Sequence, residues 1–354
     1  MSAEDFLADA ITRRQIMIQR ASRGVSRELD EVLEQLRRDL QSRLAEAGTE
    51  FQRSRLGTLL SSIDSIVQGN TERFSEGLLE RISEFTDGEI EFQKDTLDQV
   101  LTAETTVPPK ERLTAAVTGT SAQILIGGQR QSLSINQMVE TFSQSNKKEI
   151  KNLISAGFIS GDTPDQIARR IGQKVTGRTR AQARTVVQTA VNHAATVARE
   201  EFVKENKEFM SGEKFVATLD VRTTPTCSGF DGQVFEVDQG PKPPLHYNCR
   251  SIRVAQPREG SVLSGLEGSR PAVGADGAQQ VSSRKTFSGW LNDQPADFQR
   301  EFFRKYSNGE QKYELFKQGG LNANDFIDSD GAEINLQELK EKNPLAWQRA
   351  TPAD

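Results

Sequence analysis

The residues best suited to chemistry lie close together in this sequence, between positions 220 and 253. Both cysteines of the 354-residue chain, Cys227 and Cys249, are in this stretch, together with His246, one of only two histidines. Thiolate sulfur and imidazole nitrogen are preferred ligands of tetrahedral zinc, which commonly takes them from two separate loops. The stretch is therefore predicted to be either a functional site or a structural element that holds the fold together.

A structural zinc site needs four ligands, and only three of this kind are in view. Three residues before Cys227, where a second cysteine would complete a Cys-x-x-Cys pair, the sequence has Thr224. The candidates for a fourth ligand are Asp220, Asp231 and His193. We therefore expect one structural zinc at most, and the identity of its fourth ligand stays open.

Three other interpretations of the same residues also stay open. The cysteines could pack as small buried hydrophobic side chains, with His246 and Asn248 bonded to the turn. A Cys227–Cys249 disulfide is disfavoured in a reducing cytoplasm. A hydrolase centred on Cys227, His246 and Cys249 could depend on zinc or on a cysteine nucleophile, the latter with His246 as base and Asn248 or Asp231 to orient it. No phosphate loop, metallohydrolase signature or serine elbow supports catalysis.

The composition argues against several classes of protein. Hydrophobic residues make up 35% and charged residues 27% of the chain, which suits helices with one apolar stripe. The net charge of -5 gives no overall attraction to nucleic acid or to an anionic membrane. No apolar run reaches the length of a membrane span, and the first residues lack the pattern of a secretion signal. We expect the protein to be made in a reducing cytoplasm.

The first hundred or so residues predict long amphipathic helices. Apolar residues recur every three or four positions, as in Leu29, Leu33, Leu36, Leu40 and Leu44. A polar helix with a narrow apolar stripe needs a partner to cover that stripe. Residues 1–104 are therefore predicted to be a helical docking or oligomerisation arm, with its stripe buried against copies of itself or another protein.

The middle of the chain, residues 120–254, predicts a helical domain that ends in a short sheet. Thr163 followed by Pro164 marks a helix start. A later helix, from about residue 179 to 202, is rich in alanine and valine and is predicted to be the central one. Strands are predicted at residues 215–219, 233–237 and 251–254.

The remaining residues predict a flexible linker and a small module. Gly, Ser, Ala and Pro dominate residues 255–283, which is typical of a linker. Aromatic residues return in residues 284–354, which predict a small C-terminal module. The predicted fold class is mainly α with a small β element.

A basic cluster predicts a second kind of surface. Its members are Arg169, Arg170, Lys174, Arg178, Arg180 and Arg184. Helical spacing would put several of them on one face, where they could contact DNA phosphates independently of sequence.

The stretch around the cysteines resembles the phage Mu protein F-like minor head proteins, or head morphogenesis proteins, of tailed bacteriophages. The motifs Asp-x-Arg-Thr-x-x-x-Cys, Phe-Asp-Gly-x-Val-Phe and Pro-Pro-x-His-x-Asn-Cys-Arg, all within residues 220–250, carry the resemblance. Residues 183–194 resemble the helix that precedes this element in the family. Residues 287–291, 315–317 and 336–339 are similar to extensions on some members.

The resemblance implies a structural, non-enzymatic protein of the virion, made in the host cytoplasm and present in multiple copies. It would lie inside the head near the portal vertex and act in head assembly and in DNA packaging or ejection. The implied partners are the portal protein and a capsid or scaffold protein, with packaged DNA as a further partner.

Overall fold

The structure is a computed structural model that describes residues 3–47, 53–101, 103–126, 129–258 and 268–350. Helices account for 66% of it, and its sheets have two or three strands. The predicted class, mainly α with a small β element, is confirmed. Among the described residues, no helix is both long enough and apolar enough to cross a membrane.

Two long helices, α1 (Ala3–Ala47) and α2 (Arg53–Asp98), begin the fold. At about 1.5 Å per residue, each is close to 70 Å long. They pack against each other and against a later helix, α6 (Arg180–Glu205). The leucines of the α1 stripe share one core with Ile63, Val67, Phe74 and Leu78 of α2 and with the apolar side of α6.

This packing corrects the prediction that the apolar stripe is buried against other molecules, whereas docking through residues 1–104 stays a prediction. Leu40 and Leu44 are fully buried within the chain itself. The spacing of apolar residues shows that a helix has a partner but not which one. Here α2, α5 and α6 together supply the partner surface for α1.

Between the long helices and α6 lie a short helix, a hairpin and two further helices. These are α3 (Lys110–Gly119), β1 (Ala122–Ile126), β2 (Gln129–Leu133), α4 (Ile135–Ser160) and α5 (Pro164–Lys174), after which a π-helical turn (Val175–Thr179) leads into α6. Thr163 caps α5 with Pro164 at its start, as the sequence predicts. Gly161, with φ 75°, ends α4 in the left-handed conformation that glycine tolerates. Nearly every residue from Val186 to Val203 is buried, so α6 is the central helix as predicted.

A set of short strands and one short helix follows α6. They are β3 (Met210–Val216), β4 (Leu219–Asp220), α7 (Pro225–Phe230), β5 (Val234–Phe235), β6 (Ile252–Pro257), β7 (Ser269–Gly274) and β8 (Gly277–Ser282). Strands β5, β3 and β6 form one antiparallel sheet. In a second sheet, β7 pairs parallel to β4 and antiparallel to β8.

The second sheet corrects part of the predicted linker. Residues 269–282 form a paired hairpin, and residues 259–267 lie outside the described residues. Arg270 of this hairpin is buried against Asp231, and Ser283 donates a hydrogen bond to Asp5 of α1. Small and polar composition predicted flexibility, whereas these long-range polar contacts order the segment.

The C-terminal residues form a module around an aromatic core. Its helices are α8 (Phe287–Asn292), α9 (Ala296–Phe303), α10 (Gly309–Lys317), α11 (Leu336–Lys342) and α12 (Pro344–Ala350). Phe287, Trp290, Phe302, Phe303 and Phe326 are almost completely buried and in ring contact with one another. The module contacts the preceding region through α7, which packs against the turn at residues 323–326 and against α8.

Candidate metal centre

The first cysteine of the candidate centre, Cys227, is positioned by the short helix α7. Thr224 is the N-cap of this helix, and its hydroxyl accepts a hydrogen bond from the backbone N–H of Cys227 at 3.4 Å. Pro225 occupies the first turn, where its missing N–H costs nothing. Thr224 therefore has a structural role at the position where a fourth zinc ligand would be expected.

The other two side chains lie on a loop that the central helix α6 holds in place. The loop is tied back on itself, because the Cys249 N–H donates to the His246 carbonyl at 3.1 Å. From α6, Asn192 donates to the Cys249 carbonyl at 3.0 Å, and the hydroxyl of Thr189 accepts from the N–H of Asn248 at 3.1 Å. These contacts bring His246 and Cys249 beside α7.

The three side chains meet, as the sequence predicts. Cys227 Sγ lies 3.3 Å from His246 Nε2 and 3.8 Å from Cys249 Sγ, and all three potential ligand atoms are within 4.8 Å of one another. Zinc bonds of about 2.3 Å to sulfur and 2.0–2.1 Å to nitrogen, at a tetrahedral angle, separate sulfurs by about 3.8 Å and sulfur from nitrogen by about 3.6 Å. The donor set and its spacing therefore fit zinc, and both cysteines are free thiols.

The electrostatics of the cluster favour one thiolate beside an imidazolium. Burial raises the pKa of the Cys249 thiol, but the hydrogen bond from Cys227 and the charge of His246 outweigh it and hold that pKa well below its usual range. The hydrogen bond to Cys249, with burial, raises the pKa of Cys227. His246 Nδ1–H donates to the Tyr247 carbonyl at 2.9 Å, which orients the ring so that Nε2 faces Cys227 Sγ, and a bound zinc would replace the proton on Nε2.

The three predicted candidates for a fourth ligand make other contacts. Arg250 pairs with Asp220, and Arg270 pairs with Asp231. His193 is bonded to Thr120, and burial lowers its pKa. Among the described residues, the group of possible metal ligands contains only the cysteines and His246. A fourth ligand from Asp220, Asp231 or His193 would require one of these contacts to break.

The residues predicted to orient His246 in a hydrolase have other hydrogen-bond partners. The side chain of Asn248 donates to Thr185, and the carboxylate of Asp231 is occupied by Arg270. The backbone carbonyl of Tyr247 orients His246 instead. Cys227 and Cys249 are 2% and 0% exposed.

The predicted basic cluster lies on the surface around α5 and the start of α6, but carboxylates neutralise most of it. Five of its six members are in ion pairs: Arg170 with Asp162, Lys174 and Arg178 with Glu149, Arg180 with Glu34, and Arg184 with Asp30. Arg169 donates to a backbone carbonyl. DNA contact through this cluster stays a prediction.

Comparison with known families bears directly on this region. Residues 148–253 match the model of the family described as phage Mu protein F like protein. The matched residues begin within α4, end at the second residue of β6 and include Cys227, His246 and Cys249. The chain thus carries a phage Mu protein F-like region. No curated protein and no solved structure matches the chain. The Mu F-like region confirms the family resemblance and points to a phage head protein.

Sequence reasoning missed the buried polar contacts that surround the Mu F-like region. Glu89 of α2 pairs with Arg199 of α6 at 2.5 Å, with both side chains at most 3% exposed. Gln15 of α1 donates to Asn192, which in turn holds Cys249. No local pattern signals these pairs, because their members are separated by 57 to 177 positions.

Proposed function

We propose that this protein is a structural minor head protein of a tailed phage, associated with the portal inside the capsid, that acts in head assembly and in DNA packaging or ejection. The observation that carries the proposal is the Mu F-like region. Its central helix is also the helix on which the long helices α1 and α2 pack. The long helices and the Mu F-like region therefore form one body, suited to a fixed place in an assembly.

A structural role also agrees with the cysteine–histidine cluster. Both sulfurs are buried and the imidazole is held by a backbone carbonyl, so the cluster joins α7 to the loop that contains His246 and Cys249. We propose that Cys227, His246 and Cys249 hold one structural zinc ion. The ion would tie these two segments together, and its fourth ligand stays unassigned because Asp220, Asp231 and His193 have other partners.

The portal association is tested by isolating virions and by direct binding. We expect the protein in mature particles at a few copies per head, and we expect purified portal protein to retain the full-length chain. Particles assembled without the protein should show defects in head assembly or in DNA content. Absence from mature virions, together with no binding to portal protein at any salt concentration, would reject the proposal.

The zinc proposal is tested by metal analysis of the purified chain. We expect about one zinc per chain in the wild type and loss of zinc, with lower stability, in Cys249→Ser. The control is His193→Gln, which changes the other histidine of the chain and should keep its zinc. Wild-type protein that refolds with zinc present and binds none would contradict the proposal, and in that case the cysteines pack as buried thiols.

A further inference from the structure

One face of α1 carries three exposed arginines, Arg20, Arg23 and Arg27, at spacings of three and four residues. Residues at these spacings lie above one another on a helix surface. Across a groove from them, α6 contributes Arg184 and Gln188. The groove has a volume of about 460 Å³, and we refer to it as the arginine groove.

Three of the charges of the arginine groove are uncompensated. Within the described residues, no carboxylate forms an ion pair with Arg20, Arg23 or Arg27. Other arginines of α1 are paired, such as Arg13 with Asp9 and Arg14 with Glu89. The groove is therefore a local positive region in a chain whose net charge is -5.

No acid is among the described residues that line the groove. Glu28 pairs with Arg81 on α2, and Asp30 pairs with Arg184 at the edge of the groove and lies near Arg180. Glu31 lies one turn beyond Arg27 on α1 and is not part of the groove lining. An anionic ligand would therefore meet guanidinium groups first.

The chemistry of the groove suits the phosphate backbone of a nucleic acid. Guanidinium groups bind phosphate oxygens through two parallel hydrogen bonds. From Arg20 to Arg27 the helix rises about 10 Å at 1.5 Å per residue. Duplex DNA has a negative charge about every 1.7 Å of its axis, so several phosphates can face the three side chains at once.

We infer that the arginine groove, formed by Arg20, Arg23 and Arg27 of α1 with Arg184 of α6, binds the phosphate backbone of duplex DNA without regard to sequence. This surface differs from the basic cluster predicted from the sequence, because only Arg184 belongs to both. The inference does not depend on the proposed portal association. A carboxylate-rich protein is the competing ligand, and the experiment below separates the two.

The experiment measures how salt affects binding of the full-length chain to a mixed-sequence DNA duplex. Four phosphate contacts predict a slope of log affinity against log salt of about -3.6, or a loss of about a hundredfold between 50 and 200 mM salt. The variant with Arg20→Gln, Arg23→Gln and Arg27→Gln should retain about one phosphate contact. Its DNA affinity should therefore fall only about threefold over the same range of salt concentration. Its helical circular dichroism should be unchanged, since all three side chains are exposed.

The matched control removes the same charge from the predicted basic cluster: Arg169→Gln, Arg170→Gln and Arg178→Gln. Its slope of log affinity against log salt should differ from the wild-type slope by no more than the contribution of about one phosphate contact. Independently, Glu31→Gln should strengthen DNA binding by removing a carboxylate next to the groove, and it gives a second reading if the triple variant fails to fold. The inference is overturned if the wild type does not bind DNA, if both triple variants lose affinity equally, or if polyglutamate binds as tightly as DNA at equal salt.

Discussion

The buried carboxylate of Asp231 provides the sharpest test of how this structure holds together. Its two oxygens accept hydrogen bonds from the Ala217 N–H at 2.7 Å, from the Phe287 N–H at 2.6 Å and from both terminal nitrogens of Arg270. The Asp231 and Arg270 side chains are 0% and 4% exposed. One carboxylate thus connects the end of β3, the hairpin of β7 and β8, and the start of α8.

The substitution Asp231→Asn keeps the shape of the side chain but removes its charge. One carboxylate oxygen would become an amide NH2, which would face a hydrogen-bond donor. The guanidinium of Arg270 would be buried without a counter-charge. Breaking one partner of a buried ion pair costs about 3–5 kcal/mol, so we expect the free energy of unfolding to fall by about that amount. The zinc content of folded protein should not change, because Asp231 is outside the cluster of Cys227, His246 and Cys249.

Chemical denaturation followed by two signals measures this effect. Both tryptophans, Trp290 and Trp347, are in the C-terminal module, so their fluorescence reports unfolding of that module. Far-ultraviolet circular dichroism reports mainly the long helices. We expect the fluorescence transition of Asp231→Asn to move to lower denaturant than the circular dichroism transition, because the Asp231 carboxylate connects the module to β3.

The matched control is Asp293→Asn, the same change at an exposed ion pair with Lys285 in the same module. The Asp293 side chain is 58% exposed, so we expect a loss of about 1 kcal/mol or less. If Asp231→Asn costs no more than this control, the carboxylate does not hold the module and the argument from burial is wrong. Loss of zinc from folded Asp231→Asn would show that Asp231 is a ligand after all.

Three further predictions concern the helical body. Burial raises the pKa of Glu200 from 4.5 to about 7, so the folded chain keeps a proton that the unfolded chain releases. The free energy of unfolding should therefore decrease by up to about 3 kcal/mol as the pH rises from 5 to 7. Glu200→Gln should remove this part of the pH dependence in denaturation curves. Glu89→Gln leaves Arg199 buried without a counter-charge and should destabilise the long helices by about 3–5 kcal/mol, measured by circular dichroism. Gly157→Ala places a methyl group 2.6 Å from Ile167 Cγ1 and should cost about 1–3 kcal/mol in thermal denaturation.

Each of these predictions has an outcome that would contradict it. Equal pH dependence in wild type and Glu200→Gln would show that other groups, such as Glu213, whose pKa burial also raises, carry the effect. If Glu89→Gln is no less stable than Glu310→Gln, which alters an exposed pair with Arg300, the buried pair contributes little. An unchanged melting temperature for Gly157→Ala would mean that α4 and α5 separate at no measurable cost.

The local pattern of the sequence was enough to predict much of this protein. Apolar residues at three- and four-residue spacing predict the long helices, and Thr163 with Pro164 predicts the start of α5. The alanines and valines of α6 predict its central position. The placement of both cysteines and His246 in one stretch predicts that they meet, because two nearby loops can bring them together at little cost in chain entropy.

Only the tertiary structure decided what these elements pack against and which charges are neutralised. Asp231 appears in the sequence as a candidate ligand, but Arg270, which is 39 positions away, takes its carboxylate. The predicted basic cluster is paired with acids from α1, α4 and the α4–α5 turn, whereas the less dense Arg20, Arg23 and Arg27 remain uncompensated. Periodicity reports which face of a helix is buried, but the partner of that face depends on contacts between residues that are distant in the chain.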